Sequence, residues 1–257
     1  MKRTTALALA AAGGLLLWRR ARPSNDPGIL GPQAVRDLYD RLAPVYDAAA
    51  AWTHRIGTGD FYERAVQALD LQAGETAVDL GCGTGPNLPH LVRAVGPTGR
   101  VVAVDISPRM LDRARERAEA NGWQNVELVE ADVRDFSFPE ALHGVVGLYA
   151  LEMVPEHDAV VERAVAALAP GRRIAVGGLR RPERWPEWAV HLGELVNRPF
   201  GVSRAYEGVQ PWRAVEAHAE AVRYEEHVLG AVYLCAGEAP TEGTPPPAPT
   251  PETPRFQ

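Results

Sequence analysis

Glycine occupies three of five successive positions within the stretch VDLGCGTGP, residues 78–86. The stretch follows a short apolar run and precedes a helical pattern, so it is predicted to form a turn between a strand and a helix. Glycine at such a turn lets the backbone approach a ligand more closely than a Cβ atom would permit. The spacing of Gly81, Gly83 and Gly85 therefore predicts a ligand-binding turn.

Two common ligands of glycine turns fit this spacing poorly. A dinucleotide-binding turn has the pattern GxGxxG, whose third glycine would fall at Pro86, whereas Gly85 comes one residue earlier. A phosphate-binding P-loop needs Lys followed by Ser or Thr, and the residues after the turn are Pro86, Asn87 and Leu88. A nicotinamide-dependent oxidoreductase is therefore the less favoured class of enzyme.

The stretch VDLGCGTG resembles the first motif of class I S-adenosylmethionine-dependent methyltransferases, in which a strand-end acid precedes the glycine turn. The resemblance extends over about residues 35–238, and the chain is similar in particular to the quinone-biosynthesis and phospholipid N-methyltransferase-like group. This resemblance implies S-adenosylmethionine as the cofactor and methyl transfer as the reaction. The residues that it places against the cofactor at this turn are Asp79, Gly81, Cys82, Gly83 and Gly85.

Later positions agree with the same family. Asp105 closes the second predicted strand, where an acid can accept hydrogen bonds from both ribose hydroxyls. By resemblance, Ile106 and Met110 would pack on the faces of the adenine ring. The resemblance also implies that Asp132 and the backbone amide of Val133 meet the adenine amino group.

Upstream of the glycine turn, residues 39–47 have the pattern YDxxAxxYD, which is similar to methyltransferases of quinone and phospholipid amine biosynthesis. The resemblance implies a helix that covers the cofactor, with Tyr46 at its methionine end. A tyrosine suits a sulfonium because the face of its ring attracts cations. An amphipathic helix that buries Leu38, Leu42 and Tyr46 explains the same spacing equally well.

No distinctive catalytic motif accompanies the cofactor residues. Methyl transfer can rely mainly on positioning, and a base that removes a proton from the acceptor adds roughly 10²- to 10⁴-fold. Tyr149 is also counted among the cofactor contacts. The candidate proton acceptors are Tyr46, Tyr149, Glu152, His157 and His191.

The pattern of elements predicts an α/β fold, a doubly wound, mostly parallel Rossmann-like seven-stranded sheet with helices on both faces. Short β-branched runs alternate with stretches rich in Ala, Arg, Glu and Leu. Strands are predicted at 76–80, 100–105, 126–130, 144–149 and 172–177, with a closing hairpin over 222–238. Helices are predicted at 61–69, 87–95, 108–121 and 158–168, and residues 216–222 are predicted to be helical before the hairpin.

The chain length favours one principal domain, the methyltransferase domain at 29–237, with an aromatic cap insertion at about 180–215. Residues 238–257 are rich in proline and are expected to form a disordered tail. Residues 1–28 contain an apolar stretch, 6–18, between basic residues. This segment predicts membrane attachment through residues 4–22 that holds the domain at the cytoplasmic face; a disordered or mis-started leader is the alternative.

Composition narrows the partners. The net charge is −6, and the basic residues are interspersed with acids, so nucleic acid is not expected to bind. The two cysteines lie far apart with no zinc-binding motif, so no metal is expected and a reducing cytoplasm fits. The sequence thus predicts a methyltransferase that acts on a lipophilic or membrane-associated acceptor, a phospholipid amine or a quinone-like molecule. A soluble small metabolite is the alternative acceptor, and a catalytically silent S-adenosylmethionine-binding protein is the alternative function.

Overall fold

A computed structural model describes residues 28–54 and 60–241. The predicted anchor segment at 4–22 lies outside these residues, as does the predicted tail of 238–257 from residue 242 onward. The first two residues of that predicted tail belong to the fold, because Glu238 ends the last strand and Ala239 is buried. The strands are β1 Thr76–Leu80, β2 Arg100–Asp105, β3 Val126–Glu130, β4 Leu142–Leu148, β5 Leu168–Leu179, β6 Glu220–His227 and β7 Val232–Glu238. The helices are α1 Pro32–His54, α2 Phe61–Ala68, α3 Leu88–Val95, α4 Pro108–Ala120, α5 His157–Ala167, α6 Glu187–Asn197 and α7 Pro211–His218.

The seven strands of the described residues form one sheet in the order β3-β2-β1-β4-β5-β7-β6. Strands β1 to β5 pair in parallel, and the β6–β7 hairpin adds two antiparallel strands at one edge. The strand order reverses between the neighbouring strands β1 and β4. Ligands of doubly wound sheets bind at such a point. The predicted doubly wound, mostly parallel sheet is confirmed.

Both faces of the sheet are covered because successive side chains of each buried strand alternate between two apolar layers. On β1, Val78 belongs to the layer packed under α5 and α7, whereas Ala77 belongs to the layer under α2, α3 and α4. Neither apolar layer covers the carboxyl ends of the strands, so this edge of the sheet stays open.

Three predicted boundaries are wrong. Strand β5 begins at Leu168, which pairs with Leu142, so α5 ends at Ala167 and the sheet includes the Ala-Pro-Gly that was expected to separate them. The helix predicted over 216–222 ends at His218, because β6 begins at Glu220 with a register shift before Arg223. Strand β4 ends at Leu148, one residue before Tyr149, which leaves the sheet.

The cap insertion at about 180–215 stays a prediction, and we use the name cap for residues 180–210, which lie between β5 and α7. It contains α6 and two short 3-10 turns, Arg198–Phe200 and Arg204–Gly208. Its Phe200 packs edge-on against Tyr46 of α1, with ring centroids 5.9 Å apart. Within residues 28–54 and 60–241, no helix has the length and apolar content that crossing a bilayer requires.

Candidate functional site

A cleft that is partly open to solvent lies at the carboxyl ends of β1, β2, β3 and β4 and beneath α1. Two of the residues predicted to contact the cofactor, Asp79 and Gly85, are not among its lining residues. The predicted contacts that line the cleft are Tyr46, Gly81, Cys82, Gly83, Asp105, Ile106, Met110, Asp132, Val133 and Tyr149.

The three glycines of the turn after β1 all have positive φ angles, but the space around each of them differs. A Cβ atom on Gly81 would lie 2.3 Å from the Cβ of Ala150, and one on Gly85 would lie 2.5 Å from Leu88. A Cβ atom on Gly83 would meet no described atom within 4 Å, because Gly83 faces the cleft. Packing therefore requires glycine at 81 and 85, while Gly83 leaves space for a ligand.

Asp79 lies behind this turn and is fully buried. Its Oδ1 accepts a hydrogen bond of 2.9 Å from Nδ2 of Asn87, which lines the cleft. Asp79 Oδ2 and Asn87 Oδ1 have no hydrogen-bonding partner among the described residues. Burial raises the pKa of Asp79 to about 7, although the hydrogen bond from Asn87 opposes the shift. Two buried acceptors without donors suit a cationic group that carries several N–H bonds.

Asp105 closes β2 and lines the cleft. Its Oδ2 accepts a 2.7 Å hydrogen bond from the backbone of Gly83, and its Oδ1 accepts one of 2.8 Å from the backbone of Ser107. Burial raises its pKa to about 6, against the effect of these two bonds. Each carboxylate oxygen accepts one of these bonds and can accept another, so the group can receive two hydroxyl donors from a ligand.

Arg134, which the sequence analysis did not single out, lines the cleft beside Asp132. Its Nε lies 2.9 Å from Asp132 Oδ1 and its Nη2 lies 2.6 Å from Oδ2. The hydrogen bonds from Arg134 lower the pKa of Asp132. Arg163 Nη2 fixes the turn by donating to the backbone carbonyls of Val133 and Arg134. Asp132 is therefore a fixed carboxylate at the end of the cleft nearest β3.

Four tyrosines form an aromatic wall of the cleft: Tyr39, Tyr46, Tyr62 and Tyr149. The ring centroids are 6.2 Å apart both for Tyr39 with Tyr46 and for Tyr62 with Tyr149. Burial raises the pKa of Tyr46 to about 12 and also raises that of Tyr149, so both hydroxyls stay protonated near neutral pH. Tyr149 has a φ of 56°, a left-handed conformation that is strained for a bulky residue and often marks a functional position.

Two of the candidate proton acceptors lie away from the cleft, because local contacts hold their rings elsewhere. The Nδ1 of His157 lies 3.1 Å from the backbone carbonyl of Val154, and the ring does not line the cleft. His191 is an exposed residue of α6 whose Nδ1 lies 3.5 Å from Glu194. Neither histidine is therefore placed to accept a proton from a molecule in the cleft, whereas Tyr46 and Tyr149 line it with protonated hydroxyls.

Glu152 is half-buried, with its carboxyl group directed toward β5. Both carboxyl oxygens are inaccessible to solvent, and Oε1 lies 1.6 Å from where a Cβ on Gly178 would stand. Burial raises the pKa of Glu152 to about 8. The native state thus retains a proton that the unfolded chain has already lost above its normal pKa of 4.5.

We expect the free energy of unfolding to fall as pH rises from about 4.5 to about 8, because the unfolded state binds fewer protons than the native state in this window. Glu152→Gln should flatten this dependence and leave the protein more stable than wild type above pH 8. Urea unfolding at pH 5, 7 and 9 measures the effect. Glu119→Gln, on an exposed face of α4, is the control; equal pH dependence in all three proteins would contradict the assignment.

Helix α1 is fastened over the cleft by the two aspartates of the YDxxAxxYD pattern. Asp40 Oδ1 accepts a 2.6 Å hydrogen bond from the Ser107 hydroxyl, beside the end of β2. Asp47 Oδ1 accepts one of 2.5 Å from the Thr84 hydroxyl, in the glycine turn, and its Oδ2 lies 3.2 Å from Arg117. Each Tyr-Asp pair therefore contributes a tyrosine to the cleft and an aspartate that fixes the helix to a ligand-binding turn.

Replacing Asp47 with Asn should speed the release of S-adenosylhomocysteine about 3- to 10-fold, because a charge-assisted bond of ~1 kcal/mol then no longer holds α1 closed. Stopped-flow displacement measures the rate. Asp37→Asn is the matched control, since Asp37 lies on the same helix and bonds to Gln33. Equal release rates from the two variants would contradict the fastening role of Asp47.

The comparisons with known proteins agree with this geometry. A family model described as a methyltransferase domain matches residues 77–171. A 2-phytyl-1,4-naphtoquinone methyltransferase of Nostoc sp. strain PCC 7120 is 33% identical over 190 residues, which cover 69% of this chain and 81% of that relative. A demethylmenaquinone methyltransferase of Lactobacillus johnsonii is 28% identical over 144 residues, 55% of this chain and 59% of that relative.

Among solved structures, Haemonchus contortus phosphoethanolamine N-methyltransferase 2, in complex with phosphomonomethylethanolamine and S-adenosylhomocysteine, has a TM-score of 0.62 at 16% identity. The match covers 80% of this chain and 60% of that one, and at this identity it shows the fold alone. Sheet order, glycine turn and fold together define a Rossmann-like methyltransferase. The chain belongs to the class I S-adenosylmethionine-dependent methyltransferases.

Proposed function

We propose that this enzyme methylates a lipophilic acceptor, and that the acceptor is quinone-like in preference to a phospholipid amine. The observation that carries the proposal is the wall of four tyrosines, which continues into the apolar side chains of Leu30, Val35, Met153 and Val154. An aromatic and apolar wall favours a flat ring with a hydrocarbon chain over a small charged metabolite. The named activities of the Nostoc and Lactobacillus relatives support the same acceptor class.

The residues present fit the cofactor. S-adenosylmethionine supplies a methyl group on a sulfonium, ready for in-line displacement by the acceptor. We assign its ammonium group to the unpartnered acceptors of Asp79 and Asn87, and its ribose hydroxyls to Asp105. The open space in front of Gly83 admits the part of the cofactor that lies against the glycine turn.

The adenine is assigned to the part of the cleft between β2 and β3. Ile106 and Met110 line this part with apolar side chains, and Asp132 with the adjacent amide of Val133 offers an acceptor and a donor. Arg134 holds Asp132 by two hydrogen bonds, so the carboxylate needs no rearrangement to accept an amino proton. Gly85 has no assigned contact, because Leu88 and Ala114 occupy the space beside it.

Positioning supplies most of the acceleration in this account. Holding two reactants in line contributes up to ~7 to 11 kcal/mol. Tyr46 and Tyr149 present neutral rings in the cleft, and ring faces attract a sulfonium by ~0.5 to 2 kcal/mol.

The acceptor class can be tested with the full-length chain and S-adenosylmethionine carrying a tritiated methyl group. The acceptors are a demethylated naphthoquinol with a polyprenyl chain in detergent micelles, the same ring without the chain, and phosphatidylethanolamine. We expect kcat/KM for the chain-bearing quinol to exceed that for the short ring at least ~10-fold, since the chain adds apolar contact. Label found only in water-soluble acceptors would contradict the proposal, and tight binding with no turnover of any acceptor would favour a silent binding protein.

A further inference from the structure

Exposed large apolar side chains are concentrated on one part of the molecule. The described residues contain seven of them, and Val45 on α1 is the one that lies apart from the cap and its neighbouring turns. We call five of the others the apolar face. Its members are Trp188, Leu192, Leu195, Val196 and Leu229.

Four members of the apolar face form a stripe along α6. Trp188, Leu192, Leu195 and Val196 have the spacing i, i+4, i+7 and i+8, which places them on one side of a helix. The orientation of α6 is fixed from its other side, where Val190 is buried and Glu194 lies 3.0 Å from Arg204. The stripe is therefore held outward, and Trp188 is 72% exposed.

The fifth member, Leu229, is held outward by a strained turn between β6 and β7. Val228 and Leu229 have φ angles of 51° and 54°, a left-handed conformation that is rare for such residues and costs on the order of 1 to 3 kcal/mol. Leu229 is 85% exposed, and its carbonyl accepts a 3.1 Å hydrogen bond from Nε1 of Trp185 in the cap. This bond joins the turn to Trp185, two residues before α6 begins, so Leu229 and the stripe belong to the same region of the molecule.

The N-terminal end of the described chain is fastened to the same region. Ser203 of the cap donates a 3.2 Å hydrogen bond to the carbonyl of Gly28, and the Tyr206 hydroxyl accepts one of 2.6 Å from the amide of Leu30. The preceding 27 residues include the apolar stretch 6–18 and the basic residues on either side of it. A segment with the composition of an interfacial anchor therefore joins the domain at the cap.

We propose that the apolar face docks on a lipid surface that contains anionic headgroups. The cap contacts α1, which covers the cleft: Phe200 packs on Tyr46, and the carbonyl of Phe200 accepts a hydrogen bond from Tyr39. Docking would thus place the membrane beside the route to the aromatic wall. The charges of the cap are mixed, and the basic residues on either side of the apolar stretch 6–18 favour anionic headgroups over a neutral surface. The inference rests on the proposed lipophilic acceptor and identifies the surface through which that acceptor would arrive.

The test uses single cysteine variants of the full-length chain labelled with a polarity-sensitive fluorophore, because both native cysteines are buried. Labels go at Leu192→Cys and Leu229→Cys, with Gln72→Cys, an exposed position before β1, as the control. Vesicles of phosphatidylcholine with phosphatidylglycerol should raise the emission at the first two positions about threefold and leave the control unchanged. Trp188→Asp combined with Leu192→Asp should weaken vesicle binding about tenfold, while Val45→Asp should not.

Two results would overturn the inference. Vesicle binding without an emission change at either position would show that another segment makes the contact. An emission change without vesicles, rising with protein concentration together with a doubled mass, would identify a second copy of this chain as the partner. Vesicle docking is measured without turnover and the acceptor assay is performed in micelles, so failure of one does not imply failure of the other.

Discussion

Asp105→Ala is expected to weaken the binding of S-adenosylhomocysteine by about a hundredfold or more while the sheet stays folded. A carboxylate that accepts two ribose hydroxyls contributes two charge-assisted hydrogen bonds, each worth ~1.5 to 3 kcal/mol, and ~1.4 kcal/mol is a tenfold change. The side chain also fixes the backbone of Gly83, so the variant loses part of the preformed turn. Isothermal titration calorimetry measures the affinity, and circular dichroism checks the fold.

Two controls separate ligand contact from structural damage. Asp105→Asn keeps the shape and one acceptor oxygen, so its loss of affinity should be nearer tenfold. Glu127→Ala removes a carboxylate from the exposed side of neighbouring β3 and should leave the affinity for S-adenosylhomocysteine unchanged. Because the pKa of Asp105 is raised to about 6, wild-type affinity should decline below about pH 6 as the carboxylate protonates. Unchanged binding by a folded Asp105→Ala would exclude the assigned ribose contact.

Alanine substitutions at two positions of the glycine turn should have large effects of different kinds, one on stability and the other on cofactor affinity. Gly81→Ala should destabilise the protein by several kcal/mol, because its Cβ would stand 2.3 Å from that of Ala150 at a φ of +67°. Gly83→Ala meets no described atom within 4 Å, so we expect only the ~1 kcal/mol cost of a positive φ. Its methyl group would instead occupy the ligand space, and cofactor affinity should fall at least ~10-fold.

Gly122→Ala isolates the cost of backbone strain. Gly122 has a φ of +69° and open space around its Cα, as Gly83 does, but lies after α4, remote from the glycine turn in sequence. Urea unfolding should therefore give similar stabilities for the variants at 83 and 122, and a much lower one at 81. Calorimetry should show lost affinity at 83 and normal affinity at 122. Normal affinity at both positions would contradict a ligand in front of Gly83.

The centre of the parallel sheet was predictable because β1, β2 and β4 are short apolar runs buried on both faces. The end of α5 was not, since Leu168 joins β5 through a pairing with Leu142 that is distant in sequence. The helix predicted over 216–222 ends early for a similar reason: from Glu220 onward the chain pairs with β7 in place of continuing the local helical bonds. Long-range pairing overrides local propensity at both boundaries.

Some site residues could be predicted from sequence patterns, whereas others depend on tertiary structure. Asp105 follows from its position at a strand end, whereas Arg134 and Tyr62 reach the cleft through loop and helix geometry that no spacing in the sequence reveals. Asp40 and Asp47 were visible in the YDxxAxxYD pattern, but their contacts to Ser107 and Thr84 depend on how α1 docks. The contact predicted for Gly85 stays a prediction; glycine spacing alone could not show that Leu88 packs beside this position.

The most direct test of this account is a crystal structure of the full-length protein with S-adenosylhomocysteine. We predict the ribose hydroxyls within hydrogen-bonding distance of Asp105, the ammonium group beside Asn87 and Asp79, and the sulfur atom facing Tyr46 or Tyr149. A nucleoside bound away from the glycine turn, or held there with its ribose remote from Asp105, would contradict the assigned cofactor site.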